Sequence, residues 1–297
     1  MASWRQIVKQ VAYWTVPAGF LNIARTRLHR NSVYLPSLSA EESAILAHNK
    51  ELRNRHLGER CFILATGPSI KTQDLKALQG ETCIAVSNFF VHPDYHLIAP
   101  RYHCMAAYHP PITEEGWIAW MKEAAAKTGD STFFFALSDL KRHQDAGVGA
   151  GRSVHYLHCG RSSASRQHGV DLTKPIFGPV SVPVMALQVA LYMGFKRIYL
   201  LGCDHDWILH MNRSSHFYEE EQHALVRNGY NEWFNFDWET DFAFMAALWR
   251  QYKTIRLCAE SCSAEIYNAT PGGLLDVFPR VRYESLFVGD NPVSSSD

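Results

Sequence analysis

No acidic residue occurs before Glu41, although Arg5, Lys9, Arg25, Arg27 and Arg30 all lie there. The chain as a whole has no charge excess, with 29 Lys+Arg against 29 Asp+Glu over 297 residues. That balance excludes a molecule built to coat a polyanion, and no nucleic-acid partner is expected. No apolar run approaches the ~18–20 residues that a membrane-spanning helix needs. A secretory h-region with a small-residue cleavage site is also missing from the first thirty residues. The seven cysteines are odd in number, and several sit inside apolar runs such as CFILA and TCIAV. This excludes a disulfide framework and points to reduced, buried thiols in a cytoplasmic protein. Cys258 and Cys262 have no second thiol pair at zinc-ligand spacing. The glycine turn at Gly67 lacks the second glycine and Lys-Ser/Thr of a P-loop. No internal repeat is present.

What the sequence does hold is a strongly apolar centre, SVPVMALQVALYMGFKRIYLLGCDHD, from Ser181 to Asp206. Ser181 reads as a helix N-cap, with Pro183 in the first turn, where a missing N–H costs little. The helix has no polar stripe, so it is predicted to be buried, and Gly194 to end it. Ile198–Leu201 then reads as a strand buried on both faces, the mark of a parallel sheet. It stops at Gly202-Cys203-Asp204-His205-Asp206, polar groups at the carboxyl end of a strand, where ligands bind in open α/β sheets.

Around this centre, strands are predicted at Cys61–Ala65, Thr82–Val86, His103–Ala107 and Ser131–Leu137, alternating with helices at 41–57, Asp74–Leu78 and Glu114–Lys127. Residues 138–175 read as irregular, with Arg152, Arg161 and Arg166 as candidate partners for phosphate or carboxylate. A helix is expected over Glu239–Tyr252, a strand over Thr254–Cys258, and a loop over Ile266–Gly273 returning to the same edge. The fold class is therefore α/β and Rossmann-like, a mostly parallel sheet with helices on both faces. Thr66, Asn88, His109 and Asp204 each stand at a strand's carboxyl end. The turn Thr66-Gly67-Pro68-Ser69 also has the form of an anion cradle.

The single domain is taken as 41–290, with one segment before it, one long irregular segment inside it and one after it. Residues 1–40 combine Trp4, Ile7, Val8, Val11 and Trp14 on one helical face with the early basic residues. That pattern suits the headgroup layer of an anionic membrane, on the inner face of the cell membrane. Residues 207–238 form a long irregular stretch, read as a lid or acceptor-binding segment. The Ser-rich tail 291–297 reads as disordered.

Five blocks in order, ATGPSI (65–70), VSNFF (86–90), AAYHP (106–110), GFKRIYLLGCDHDW (194–207) and YNATPGG (267–273), carry a resemblance. The chain is similar to the bacterial sialyltransferases of glycosyltransferase family 42. It also resembles the broader family named for an archaeal hydroxymethylpterin pyrophosphokinase (MptE-like), which includes motility-associated flagellin glycosyltransferases. The resemblance implies a Rossmann-like domain with a lid that transfers a nonulosonic acid, such as sialic acid, from CMP without a metal. It implies nucleotide contacts at Thr66 (in place of an asparagine), Gly67, Pro68, Ser69, Asn88, His109, Ser181, Gly202 and Asp204. The family's catalytic histidine has no counterpart here; its slot, near Phe236, is aromatic.

The leading expectation is a glycosyltransferase using a nucleotide-activated sugar, CMP-linked in preference, with a cell-surface or lipid-linked glycan as acceptor. Histidine titrates in the range suited to deprotonating an acceptor hydroxyl, which makes His216 and His205 the candidate bases. Three alternatives stand beside it. Asp204 and Asp206 can be read as holding Mg²⁺ or Mn²⁺ against a nucleoside-diphosphate sugar. The chain can also be read as a pterin pyrophosphokinase, or as a non-catalytic nucleotide-binding protein. A homo-oligomer is compatible with all of these.

Overall fold

The computed structural model of the protein describes residues 38–160, 169–210, 215–218, 223–227 and 237–287. The chain divides into Met1–Ser39 and Ala40–Asp297. The membrane-surface reading of residues 1–40 therefore falls almost wholly outside the described residues. So do Arg161, Arg166, most of 207–238 and the tail 291–297.

Seven strands form one sheet: β1 (Arg60–Leu64), β2 (Cys83–Val86), β3 (Tyr102–Cys104), β4 (Thr132–Ala136), β5 (Val154–Leu157), β6 (Arg197–Leu201) and β7 (Glu265–Asn268). Their spatial order is β5-β4-β3-β2-β1-β6-β7, and every pairing is parallel. The order runs outward from β1 in both directions, so the crevice between β1 and β6 is the topological switch point.

The longer helices are α1 (Ala40–His48), α2 (Glu114–Lys127), α3 (Leu140–Ala146), α4 (Val182–Tyr192) and α5 (Trp238–Ser261). Alternation along the strands sorts the core into two layers. Cys61, Ile63, Ile198 and Leu200 face the layer holding α4 and the inner side of α5. Phe62, Leu64, Tyr199 and Leu201 face the layer holding Trp117, Trp120 and Met121 of α2. From Pro183 to Tyr192 every residue of α4 is buried, as a helix without a polar stripe requires. Gly194 follows at φ +84°, the left-handed position that releases the chain into β6.

Four expectations are corrected. Thr254–Cys258 is not a strand but part of α5, which runs for 24 residues. Its β-branched residues read as a strand, yet Leu248, Gln251, Tyr252, Ile255, Cys258 and Ala259 are buried at three- and four-residue spacing. The last strand is instead Glu265–Asn268, inside the segment read as a loop. The stretch 138–175 is not wholly irregular, because it contains α3 and the edge strand β5. β5 alternates between half-buried and buried positions, which leaves no continuous apolar run to see. The first predicted helix is also shorter: α1 ends at His48, a 3₁₀ turn covers Asn49–Leu52, and Asn49, Leu52 and His56 are buried.

Candidate active site

At the carboxyl edge of the sheet, over the switch point, lies a cleft of about 920 Å³. Thr66, Gly67, Pro68 and Ser69 enter it from the end of β1, and Gly202, Asp204, His205 and Asp206 from the end of β6. Ser181-Val182-Pro183 at the start of α4 forms a third wall. Asp241 and Phe244 of α5, Pro271-Gly272-Gly273, and Ser215-His216 complete the rim. Ser181 is the N-cap of α4 and makes no side-chain cap bond. The positive end of this helix dipole therefore opens into the cleft, a favourable pole for an anionic group.

The glycine turn after β1 proves to be a clamp on Asp204 rather than an anion cradle. Gly67 N–H donates to the Gly202 carbonyl at 2.9 Å. Ser69 donates to the Asp204 carboxylate twice, from its backbone N–H at 3.2 Å and from Oγ at 2.7 Å. Pro68 has no N–H, so the Gly67 and Ser69 donors of the turn are committed within the protein. A Cβ at Gly67 would overlap the Asp204 carboxylate and the Gly202 carbonyl; glycine is required there by close approach. From the other side Gly273, at φ +73°, packs where a Cβ would lie 2.8 Å from Asp204 Cα. Arg280 holds that loop by donating to the carbonyls of Thr270 and Gly273 at 3.1 and 2.9 Å. Burial, with Asp206 adding to it, pushes the Asp204 carboxyl above the usual aspartate range, against the pull of the Ser69 bonds.

The two candidate histidines differ in kind. His205 sits in the left-handed region at φ +49°, an uncommon position for a non-glycine residue. Its Nε2 lies 2.8 Å from the Tyr252 hydroxyl. Burial pushes its pKa down to about 4, so the ring is neutral at physiological pH. His216 stands on the rim, with Nδ1 at 3.0 Å from Thr66 Oγ1. Its ring stacks on Tyr218 at 4.9 Å, and Phe217 N–H donates to the Thr66 carbonyl at 2.9 Å.

Two expected nucleotide contacts are absent from the cleft wall. Asn88 is buried, and its amide is engaged on both sides. Trp120 Nε1 donates to its Oδ1 at 2.5 Å, and its Nδ2 donates to the Tyr218 hydroxyl at 2.9 Å. Asn88 thus holds the hydroxyl of Tyr218, the ring on which His216 stacks. His109 is exposed beyond β3, with Nδ1 3.2 Å from the Pro110 carbonyl. Arg152 is likewise no anion partner. Its guanidinium donates to the carbonyls of Ala125 and Ser131 and to Thr128 Oγ1, and it lies over the Phe133 ring.

Comparison with known proteins adds a likeness of fold. Among solved structures, the chain is similar to the sialyltransferase CST-II in complex with a trisaccharide acceptor and CMP. The identity is 15% and the TM-score 0.44, over 75% of this chain and 86% of that one. It is also similar to CstII from Campylobacter jejuni in complex with the substrate analogue CMP-3FNeuAc, at 16% identity and a TM-score of 0.45, with the same coverage. No protein-family model and no curated protein sequence matches the chain.

As a place for Mg²⁺ or Mn²⁺, the cleft offers Asp204 and Asp206. Asp204 is already held by Ser69, and Asp206 Oδ2 lies 3.4 Å from His210 Nε2. Among the described residues no group of three potential ligand atoms within 4.8 Å of one another includes this pair, His210 reaching Asp206 alone, so the donor set is a poor fit to a resident cation. Sequence reasoning missed Lys71, Trp207, Asp241 and Phe244 as wall residues. Nothing in their local pattern marks them; α5 and the 3₁₀ turns deliver them to the edge. No described helix is long and apolar enough to cross a membrane.

Proposed function

We propose that the protein is an inverting glycosyltransferase that moves a sugar from a nucleotide-activated donor, CMP-linked in preference, to a glycan hydroxyl. The observation that carries this reading is a histidine on the rim of a switch-point cleft that also receives a helix N-terminus. His216 supplies a base, and the start of α4 supplies a pole for the departing phosphate. In the reaction, the acceptor oxygen forms its bond to the anomeric carbon as its proton passes to His216 Nε2. The carbon–oxygen bond to phosphate breaks, and the electron pair leaves with the nucleotide. For Nε2 to carry the lone pair, Nδ1–H donates to Thr66 Oγ1, and this contact holds the ring orientation. The cleft volume lies within the ~300–1,000 Å³ typical of small-molecule sites. The family-42-like sequence blocks favour CMP. A cell-surface or lipid-linked acceptor, met at the inner membrane face through residues 1–40, completes the reading.

The internal use of the Gly67 and Ser69 amides speaks against a pyrophosphokinase, which must cradle a triphosphate. The metal-dependent reading retains one observation in its favour, the adjacency of Asp204 and Asp206 in the cleft wall. Thermal unfolding with CMP, UDP, GDP and ATP, each with and without Mg²⁺ or Mn²⁺, separates the readings. CMP alone is expected to stabilise, by about 2.7 kcal/mol at 100-fold over Kd. Stabilisation only by nucleoside diphosphates with metal would overturn the CMP reading in favour of the metal-dependent one.

A further inference from the structure

At the far edge of the sheet, where α1 and its 3₁₀ extension lie against β5, two histidines and a glutamate converge away from the cleft. The potential ligand atoms of His48, Glu51 and His155 all lie within 4.8 Å of one another. We propose that these three side chains form a binding site for a divalent transition metal ion of the zinc class, with water in the fourth position.

The argument begins with Asn49. Its Nδ2 donates to two carbonyls, those of Tyr156 and Leu172, each at 2.8 Å. The amide can therefore present only Oδ1 to His155 Nδ1, 2.9 Å away. An acceptor there requires Nδ1 to carry the proton. With the proton on Nδ1, the neutral tautomer carries its lone pair on Nε2. That lone pair faces Glu51 Oε1 at 3.4 Å. Two acceptors set against each other in this way leave a place for a cation. The arrangement also matches the usual second shell of a metal-bound histidine, whose other N–H is held by a carbonyl oxygen.

The remaining geometry is consistent with such an ion. His48 Nδ1 lies 3.5 Å from Glu51 Oε2. Tetrahedral ligands at ~2.0–2.1 Å from zinc stand roughly 3.3–3.4 Å apart; each imidazole–carboxylate separation is close to that, though the two are made to different Glu51 oxygens, and one ion would draw both rings to a shared oxygen. The His48 and His155 rings are stacked at 5.0 Å and nearly parallel, so the exposed His48 side chain has to turn to aim its in-plane lone pair at an ion held by His155. His48 and Glu51 are exposed while His155 is buried, which gives an ion a route in and a wet side for the fourth ligand. Imidazole and carboxylate together suit zinc and its neighbours better than the all-oxygen preference of Mg²⁺ or Ca²⁺. The competing cation is Arg55, whose Nη2 donates to Glu51 Oε1 at 3.3 Å; an entering metal takes that oxygen over. A bound ion would tie the end of α1 to the edge strand.

The test is calorimetric titration of Zn²⁺ into the full chain carrying Cys262→Ser, since Cys262 is the exposed thiol among the described residues. One ion per chain is expected. His48→Ala and Glu51→Gln, both at exposed positions, should each weaken binding at least about 10-fold, the lower bound for even outer-shell partners. Their metal-free melting temperatures should stay near that of the parent. Co²⁺ in the parent should give the intense visible bands of a four-coordinate site. Absence of Zn²⁺ uptake, or unchanged affinity in both variants, would overturn the proposal. So would loss of uptake on Asp204→Asn or Asp206→Asn, which would place the ion in the cleft.

Discussion

Thr66 Oγ1 and His216 Nδ1 lie 3.0 Å apart although 150 positions separate them in the chain. The bond joins the end of β1 to the segment 215–218, which the Thr66 carbonyl also holds through Phe217 N–H. One strand end thus sets both the ring and the backbone of the candidate base.

If His216 takes the acceptor proton, His216→Ala should lower kcat by about 10²–10⁴-fold, with donor affinity retained. Thr66→Val keeps the shape but removes the hydroxyl, and should lower kcat by a smaller factor without raising KM for the donor. Near-normal turnover of His216→Ala on the true acceptor would remove it from the mechanism and leave His205 next in line.

Asn88 is expected to matter for support rather than for nucleotide contact. Asn88→Ala removes the acceptor of the Trp120 indole N–H and the donor to Tyr218, at a cost of about 1–3 kcal/mol for a buried group left unmade. Chemical denaturation measures this. On the glycosyltransferase reading, the folded protein should bind CMP as the parent does and lose kcat, because Tyr218 carries the stack on His216. A large loss of CMP affinity with stability unchanged would restore Asn88 to the nucleotide site.

The lowered pKa of His205, a half-buried residue of the cleft wall, gives stability a pH slope of known sign. Its pKa lies near its ordinary 6.5 in the unfolded chain and about 4 in the folded one. Between those values the unfolded state binds more protons, so stability falls as pH drops from 6.5 towards 4. His103, His143 and His155 are pushed down to about 4 in the same way, by burial first. Melting temperatures measured from pH 7.5 to 4 should show the decline, and His205→Gln should make it shallower. An unchanged slope in that variant would mean that His205 is charged when folded.

The basic N-terminal segment is predicted to bind membranes peripherally. The full chain should sediment with anionic liposomes, and a chain beginning at Ser39 should not, while keeping its CMP-induced thermal shift. Equal sedimentation of the two would end the membrane reading.

The sequence by itself determined the buried centre of the fold, because burial is written in residue type. A helix with no polar face and a strand with no polar alternation had only one place to go, and α4 and β6 lie there. It also determined the switch-point edge, since Thr66, Gly202 and Asp204 follow directly from strand ends. Elements half in water were harder to see. β5 alternates, and the second half of α5 mixes β-branched and charged residues, so local pattern alone did not separate helix from strand. What only the tertiary structure decided is which polar groups have their bonding already satisfied. Gly67 and Ser69 looked like open donors until Gly202 and Asp204 were set against them. Asn88 looked like a ligand contact until Trp120 and Tyr218 closed on it. His216 gained its partner from 150 positions away. Hydrogen-bond capacity is a local property of a residue, but its satisfaction depends on neighbours that only the packed chain brings within 3 Å or so.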